Sequence, residues 1–242
     1  MEMEHDDGFS FGLGVFETML VVEGRCVMME KHLNRLNKGL DIIGLDKRIE
    51  PVEIERLVSD GHLDGRVLKI EVSERNTMIS DRPNPYTPED YKRGFELRTS
   101  IIRRNETSPF TFIKSLQYGD NILEKRRAHF EGFDEPLFLN GWGEICEGAT
   151  TNIFFTDGDR IVTPDLSCGM LPGTVRSYVL ENFDVEEMAI IPEDLEGFSG
   201  CFVTNSILGI MPVSNIDGFA FTDRSVADSI RAQYEKDVSE GL

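Results

Sequence analysis

The chain has 242 residues, of which 40% are hydrophobic, so it is long enough to bury a core in one large domain or two small ones. Asp and Glu number 44 against 25 Lys and Arg, which gives a formal net charge of −19. A nucleic-acid surface needs a basic field to neutralise phosphates, and a membrane-surface patch needs clustered cations. This acidic balance therefore argues against both kinds of partner.

The N-terminus and the cysteines favour an intracellular location. Residues 1–7 are acidic and lack the basic start and apolar run of a signal peptide, and no apolar stretch approaches the roughly 18 residues that cross a bilayer. The four cysteines form no CxxC pair and are spread along the chain: Cys26, Cys146, Cys168 and Cys201. We therefore expect reduced thiols in a soluble cytoplasmic protein.

Strand and helix signals alternate through the first half of the chain. Residues 14–22 are rich in β-branched and aromatic side chains and predict a strand, and residues 23–25 predict a hairpin turn into a second strand over 26–29. Leucine and isoleucine at helical spacing predict a helix over 30–44, with Gly44 as its C-cap. Three shorter elements follow, a helix at 51–58 and strands at 67–73 and 95–102.

A polar segment closed by a proline, residues 103–109, is the best candidate for a boundary between two lobes. We place an N-terminal lobe at residues 1–104, an interdomain loop at 105–111 and a C-terminal lobe at 112–242. The second lobe begins with a strand that ends near Lys114. Its other predicted elements are, in chain order, a helix at 119–130, a strand at 136–139, hairpin-like strands around 144–146 and 152–155, a turn at 157–160, a helix from Gly173 to 180, strands at 201–206 and 210–213, and a closing helix at 223–238.

Several common chemistries have no motif in this sequence. The histidines lie at no metal-ligand spacing to one another or to a cysteine, so we expect no metal site: His5, His32, His62 and His129. There is no GxSxG nucleophile elbow and no Walker A loop. Gly8, Gly12 and Gly14 resemble a dinucleotide fingerprint only loosely, because they precede a strand instead of joining a strand to a helix.

Two charged side chains adjoin apolar segments. Lys114 follows an apolar strand, and a lysine in an apolar setting can form Schiff bases, although a lysine that extends to solvent at a strand end is the commoner case. Glu147 precedes a strongly apolar segment, where a carboxylate could pair with a cationic ring nitrogen. A solvated glutamate at a hairpin end is the more common arrangement. Neither residue decides a function alone.

Two further segments suit an anion. Pro172 and Gly173 lead straight into a helix, and the free backbone N–H groups at a helix start bind phosphate, although an ordinary loop-to-helix junction has the same pattern. Thr204, Asn205 and Ser206 end a strand with three hydrogen-bonding side chains in a row, a pattern that usually marks a turn. The combination of these segments is more informative than any one of them.

Six segments, in this order, resemble the class IV (fold-type IV) pyridoxal-phosphate enzymes, which include branched-chain and D-amino-acid aminotransferases and 4-amino-4-deoxychorismate lyase. They are FGLGVFET at 11–18, EKHLNRL at 30–36, KSLQY at 114–118 with NIL at 121–123, EG at 147–148 with NIF at 152–154, LPGTVR at 171–176, and TNS at 204–206 with PV at 212–213. The similarity implies an α/β (α+β) two-lobed fold, with a smaller N-terminal α/β lobe and a β-barrel-like C-terminal α/β lobe. It also implies a cofactor between the lobes and a homodimer.

The resemblance assigns roles to individual residues. Lys114 matches the lysine that holds pyridoxal 5′-phosphate as an internal aldimine and then moves the substrate Cα proton. Glu147 matches the carboxylate paired with the pyridine nitrogen, which makes the ring an electron sink. Arg35 matches the arginine that binds the cofactor phosphate. The other cofactor contacts that it implies are Tyr118, Gly173, Thr174, Val175 and Ser206.

This sequence departs from the family pattern at two places. Val175 stands where many aminotransferases have a threonine, so only its backbone N–H is available there. The family's usual first strand, before Asp6, is largely missing. No implied cofactor contact is lost with it. A protein that binds the cofactor without turnover should lack Lys114 or Glu147, and both are present.

The resemblance leaves two reactions open. Thr18 stands where branched-chain aminotransferases typically have glycine, and the strand at 67–73 lacks the arginine with which those enzymes recognise the substrate carboxylate. Lys69 on that strand suits a carboxylate in either enzyme. We therefore expect a 4-amino-4-deoxychorismate lyase, which gives 4-aminobenzoate and pyruvate, with a class IV aminotransferase as the alternative. The expected substrate contacts are Thr18, Lys69, Thr204 and Asn205.

Overall fold

The computed structural model describes residues 3–61 and 63–242, so His62 lies outside the described residues. The chain folds into two structural units, each formed from more than one stretch of sequence. Unit 1 holds the chain up to Pro85 together with Ile113–Tyr118 and Lys236–Leu242. Unit 2 holds Tyr86–Phe112 and Gly119–Glu235. Among the helices of these described ranges, none is both long and apolar enough to cross a membrane.

Unit 1 is built on a four-stranded antiparallel sheet in the order β2-β1-β3-β4. Its strands are β1 (Gly14–Val22), β2 (Arg25–Cys26), β3 (Arg66–Ser73) and β4 (Thr77–Pro83). Its helices are α1 (Asp7–Phe11), α2 (Met29–Ile42) and α3 (Pro51–Gly61). The sheet and the two longer helices form the hydrophobic core of this unit.

Alternation along β1 explains how α2 packs on the sheet. Val15, Met19 and Val21 are buried on one face of the strand and join the core that includes Leu36 of α2. A Cβ atom at Gly39 would lie 2.9 Å from Cγ1 of Val15, so the helix and the strand approach closely at this glycine. The same face of β1 carries one charged residue, whose role is described below.

Unit 2 contains a mixed nine-stranded sheet that curls into a half-barrel, in the order β10-β9-β8-β11-β12-β5-β6-β7, with β13 paired to β12. Its strands are β5 (Phe95–Arg104), β6 (Glu135–Asn140), β7 (Ile145–Gly148), β8 (Asn152–Asp157), β9 (Arg160–Pro164), β10 (Val185–Met188), β11 (Gly200–Asn205), β12 (Gly209–Ile216) and β13 (Phe219–Ala220). The remaining helices are α4 (Pro88–Arg93), α5 (Gly119–Phe130), α6 (Thr174–Asn182) and α7 (Ser225–Glu240), the last of which crosses from unit 2 into unit 1.

Most predicted elements are confirmed, and three predictions are wrong. The second strand ends at Cys26 instead of residue 29, because Met28 adopts a left-handed backbone (φ 52°) and α2 begins at the next residue. No strand leads to Lys114, since Pro109–Thr111 form a short 3-10 turn. The strands near 145 and 152 do not form a hairpin, because β7 pairs with β6 while β8 pairs with β9 and β11.

The two units do not follow a linear division of the chain. β5 groups with unit 2 because it pairs with both β6 and β12. Ile113–Tyr118 group with unit 1 because their backbone hydrogen-bonds to β1. The division into two lobes with an interdomain loop at residues 105–111 stays a prediction.

Candidate active site

The segment that carries Lys114 runs along the first strand of unit 1. The N–H of Phe16 donates to the carbonyl of Lys114 at 2.8 Å, and the N–H of Leu116 donates to the carbonyl of Gly14 at 2.9 Å. A Cβ atom at Gly14 would lie 2.5 Å from Cδ1 of Leu116 and 2.6 Å from the carbonyl of Val72. Gly14 therefore permits the close approach that holds the backbone of Lys114 beside β1.

Two aromatic rings lie close to the amine of Lys114. Nζ of Lys114 lies 4.5 Å from the centre of the Phe16 ring and 5.3 Å from that of Tyr118. These two rings meet edge to face, with their centres 5.1 Å apart. Such placement over aromatic faces stabilises a cation and limits where the amine points. The structure thus places the Lys114 amine near the Tyr118 ring.

The residues expected to contact substrate in unit 1 also gather at Phe16. Thr18 and Lys69 are register partners on β1 and β3. Nζ of Lys69 lies 5.0 Å from the centre of the Phe16 ring and 2.6 Å from Oε1 of Glu71. A second ammonium group therefore lies against the ring that contacts Lys114, with a carboxylate as its partner.

A buried charge cluster joins β1 to α2, and the sequence analysis missed it. Glu17 is fully buried, and its carboxylate accepts hydrogen bonds from Nε and Nη2 of Arg35 at 2.6 and 2.8 Å. Nδ1 of His32 lies 2.6 Å from Oε2 of the same carboxylate. The signal was present in the sequence, since Glu17 is the one acidic residue in the otherwise apolar run 14–22.

The cluster has a defined charge state. Burial acts to raise the pKa of Glu17, but the charge of Arg35 and the hydrogen bonds from His32 and Arg35 outweigh it and hold that pKa well below its usual value. Burial lowers the pKa of His32 against the opposing effect of Glu17, so the imidazole is neutral while Glu17 and Arg35 form an ion pair. Glu17 therefore fixes the orientation of the Arg35 guanidinium, the group expected to bind a phosphate.

Glu147 occupies a nearly buried position on β7 in unit 2. Its Oε1 lies 3.0 Å from Nη2 of Arg104, and its Oε2 accepts the N–H of Leu171 at 3.2 Å. Phe138 is its register partner on β6, and the Arg104 guanidinium stacks 4.0 Å from the centre of that ring. Donors at both oxygens favour the carboxylate form. No sequence motif gives Arg104 a role, and the sequence places it only at the end of the expected N-terminal lobe.

The start of α6 is shaped by a close contact with β8. Gly173 is the N-cap, and a Cβ atom there would lie 2.0 Å from Oδ1 of Asn152. Nδ2 of Asn152 donates to the carbonyl of Leu171 at 2.9 Å, which fixes the turn that enters the helix. Thr174 and Val175 form the buried first turn. Backbone N–H groups at such a start suit an anion.

Thr204 connects the polar end of β11 to this turn. It is the register partner of Asn152, and its buried Oγ1 has no hydrogen-bond partner among the described protein atoms. A buried hydroxyl without a partner calls for an explanation, and a bound oxyanion would satisfy it. Asn205 is used differently, because its Oδ1 accepts the N–H groups of Ile207 and Leu208, both at 2.8 Å. It caps the turn that carries Ser206.

Each unit, taken by itself, holds groups of the kinds that bind a phosphorylated cofactor with a ring nitrogen and an aldehyde. Unit 1 holds an amine, Lys114, and a guanidinium fixed by an ion pair, Arg35. Unit 2 holds a nearly buried carboxylate, Glu147, a helix start at Gly173 and an unsatisfied hydroxyl, Thr204. Within the described parts of the chain, no group of three or more His, Cys, Asp or Glu could hold a metal ion.

Comparison with known proteins decides the family. Residues 14–216 match the sequence model of the family described as amino-transferase class IV. The chain belongs to the class IV aminotransferase family. The resemblance inferred from the six segments is therefore confirmed, as are its mixed α/β, fold-type IV class and its assignment as an enzyme.

Relatives named for different reactions match this chain at the same identity. An aminodeoxychorismate lyase of Bacillus subtilis (strain 168) is 26% identical over 258 residues, covering 96% of this chain and 88% of the relative. A protein of Rickettsia felis named a probable branched-chain amino acid aminotransferase is also 26% identical, covering 93% and 87%. The chain therefore has relatives named for both of the expected reactions.

A solved structure has the same fold over the whole chain. A hypothetical aminotransferase from Mycobacterium tuberculosis, with α-ketoglutarate and pyridoxamine phosphate (PMP) bound, superposes with a TM-score of 0.86 at 21% identity. The match covers 100% of this chain and 95% of that one.

Proposed function

We propose that this class IV enzyme is a pyridoxal 5′-phosphate-dependent lyase that converts 4-amino-4-deoxychorismate into 4-aminobenzoate and pyruvate. The observation that carries the proposal is the pair of ammonium groups, of Lys114 and Lys69, at 4.5 and 5.0 Å from the centre of one Phe16 ring. An amine suited to the cofactor thus lies near a second cation suited to a substrate carboxylate. The Bacillus subtilis relative and Thr18, where branched-chain enzymes typically have glycine, further support the lyase.

The cofactor assignment is supported by family membership and by the PMP bound in the Mycobacterium tuberculosis structure. When bound, pyridoxal 5′-phosphate withdraws electrons from the reacting carbon of an amino substrate. Lys114 is the residue proposed to hold its aldehyde carbon, and Glu147 the one proposed to keep its ring nitrogen protonated. The family resemblance assigns the phosphate to Arg35 and to four further residues. These are Gly173, Thr174, Val175 and Ser206, while Tyr118 contacts the cofactor beside Lys114.

The residues of this chain have separate tasks in the proposed reaction. Lys114 moves a proton at the reacting carbon, and the rings of Phe16 and Tyr118 limit the positions that its Nζ can take. Lys69 attracts a substrate carboxylate. That carboxylate competes for the ammonium with Glu71, whose Oε1 lies 2.6 Å from Nζ of Lys69. Thr18, Thr204 and Asn205 remain proposed substrate contacts. Asn205 is the weakest of these, because its Oδ1 already accepts two backbone N–H groups.

A class IV aminotransferase is the alternative, and the Rickettsia felis relative favours it. Lys69 suits a substrate carboxylate in that reaction too. The two reactions separate after the proton is removed. The lyase releases pyruvate as the substrate ring becomes aromatic, whereas the aminotransferase passes the amino group to a 2-keto acid.

The test is turnover of 4-amino-4-deoxychorismate by cofactor-loaded protein without any added keto acid. Many equivalents of 4-aminobenzoate and pyruvate per active site would support the lyase. No such products, with the cofactor left in its pyridoxamine form after one equivalent, would contradict the lyase and support the aminotransferase. Lys114→Ala, in the same assay, provides the inactive control.

We also propose that the enzyme is cytoplasmic and homodimeric. All four cysteines are free and buried, which is consistent with a reducing compartment. The dimer is proposed from the family resemblance alone. Light scattering on the loaded enzyme tests it, with the mass of two chains expected and the mass of one chain as the contrary result.

A further inference from the structure

We infer that Arg104 is a positioning residue for Glu147, holding its carboxylate ionised and oriented toward the cofactor ring nitrogen. The inference rests on the proposed function, because that function gives Glu147 its partner. Arg104 itself has no assigned contact with cofactor or substrate. It would act only through Glu147.

The guanidinium of Arg104 is held on three sides. Nη2 lies 3.0 Å from Oε1 of Glu147, and Nη1 donates to Oδ1 of Asn121 at 3.0 Å. Its plane covers the ring of Phe138, 4.0 Å from the ring centre. Phe138 and Glu147 are register partners on β6 and β7. One side chain at the end of β5 therefore contacts both residues of this pair.

Asn121 links the same arginine to the chain that follows Glu147. It is buried on α5, and its Nδ2 donates to the carbonyl of Ala149 at 2.7 Å. Its two amide atoms thus fix Arg104 and the backbone two residues beyond Glu147. The carboxylate is positioned by its own side-chain partner and by the path of its strand.

Burial makes the ion pair between Arg104 and Glu147 important for the charge of the carboxylate. Only 9% of the Glu147 side chain and 13% of the Arg104 side chain are exposed. Arginine stays charged in proteins, so it supplies a permanent cation that offsets the desolvation of the carboxylate. The N–H of Leu171 also donates to the Glu147 carboxylate at 3.2 Å, but this backbone group carries no net charge that could replace the arginine.

The geometry also indicates what sets the position of the guanidinium. Nε of Arg104 is buried and has no hydrogen-bond partner among the described atoms. A guanidinium oriented only to satisfy its own hydrogen-bond donors would also use Nε. Here the two terminal nitrogens of the guanidinium contact Glu147 and Asn121, and Nε forms no hydrogen bond with the described atoms.

A double-mutant cycle on cofactor affinity tests the inference. The dissociation constant for pyridoxal 5′-phosphate is measured by fluorescence quenching for the native protein, Arg104→Met, Glu147→Gln and the double variant. We expect Arg104→Met to weaken binding about tenfold in the native background and less than about twofold in the Glu147→Gln background. Equal weakening in both backgrounds would overturn the inference, because Arg104 would then act independently of Glu147.

Two further variants keep the test decisive. Arg103→Met alters an exposed neighbour on β5 and should leave the dissociation constant unchanged. Arg104→Lys retains a cation but loses the planar fork, so we expect an intermediate loss that disappears in the Glu147→Gln background. If Arg104→Met does not fold, the Arg104→Lys cycle decides by the same criterion. Absence of saturable binding by the native protein would instead contradict the proposed function.

Discussion

At the scale of single residues, two buried acids of this enzyme, Glu17 and Glu147, are each paired with an arginine. Glu17 is fully buried, yet it is ionised because Arg35 and His32 surround it. Glu147 is nearly buried and has Arg104 as its partner. A buried charge without such a partner costs several kcal/mol. Glu17 and Glu147 therefore limit the orientations of Arg35 and Arg104. The positions of these arginines help to locate the candidate site as much as the acids do.

The neutral, buried His32 predicts a pH dependence of stability. Its folded pKa lies below the ordinary value of about 6.5, so the unfolded chain binds this proton more readily. Its contribution to stability is complete above about pH 6.5 and declines as the pH falls. We expect His32→Gln, which can still donate to Glu17, to flatten the fall in unfolding free energy between about pH 6.5 and pH 5.

Urea unfolding at several pH values checks this expectation. His129→Gln is the matched control, since His129 is exposed at the end of α5. That variant should keep the native slope of unfolding free energy against pH. An unchanged slope in His32→Gln would show that His32 is not the group that titrates on unfolding.

At the scale of elements, hydrophobic patterning predicted the parts whose burial is regular. β1 and β3 alternate and bury one face, and the helices carry apolar residues at helical spacing, so their bounds were found within a few residues. β4 was missed because all seven of its residues are exposed and no burial pattern exists to detect. Pairing partners such as β5 with β12 join parts of the chain that are far apart in sequence, and local patterns do not show such pairs.

The predicted site shows the same division. Lys114, Glu147 and Gly173 stood out because each is unusual in its local sequence. Arg104 did not, since its role depends on a carboxylate 43 residues further along the chain. The segment around Lys114 looked like a strand, but it forms hydrogen bonds with β1 at only a few points.

Gly173 predicts a steric requirement at the start of α6. Its φ of −72° is open to any residue, so the constraint is space alone: a Cβ atom would lie 2.0 Å from Oδ1 of Asn152. We expect Gly173→Ala to destabilise the fold by about 1–3 kcal/mol through overpacking and to weaken cofactor binding. Thermal unfolding and cofactor titration measure the two effects.

Gly119→Ala is the control for that substitution. Gly119 also begins a helix, α5, and nothing lies within 4 Å of a Cβ atom built there. Its stability should be unchanged or slightly raised, because alanine favours helix. In addition, Asn152→Ala should relieve the clash in Gly173→Ala. If Gly173→Ala matches Gly119→Ala in stability, the close contact is not a constraint.

At the scale of the whole molecule, both units bury their thiols. Burial raises the pKa of Cys26 and Cys168 to about 11 and raises those of Cys146 and Cys201 as well. Reactivity requires an accessible thiolate. We therefore expect no rapid labelling of native protein by a thiol reagent and complete labelling of all four cysteines in guanidinium. Fast labelling of native protein, followed by mass spectrometry, would identify any cysteine that contradicts this.

We propose that Lys114 is the residue that holds pyridoxal 5′-phosphate. Borohydride reduction of the loaded protein, followed by peptide mapping, fixes the cofactor to the amine that binds it. We expect a pyridoxyl group on Lys114, its absence in Lys114→Ala, and its retention in Lys69→Met, which removes the other ammonium near Phe16. A pyridoxyl group on a different lysine of the native protein, or unchanged labelling in Lys114→Ala, would contradict it.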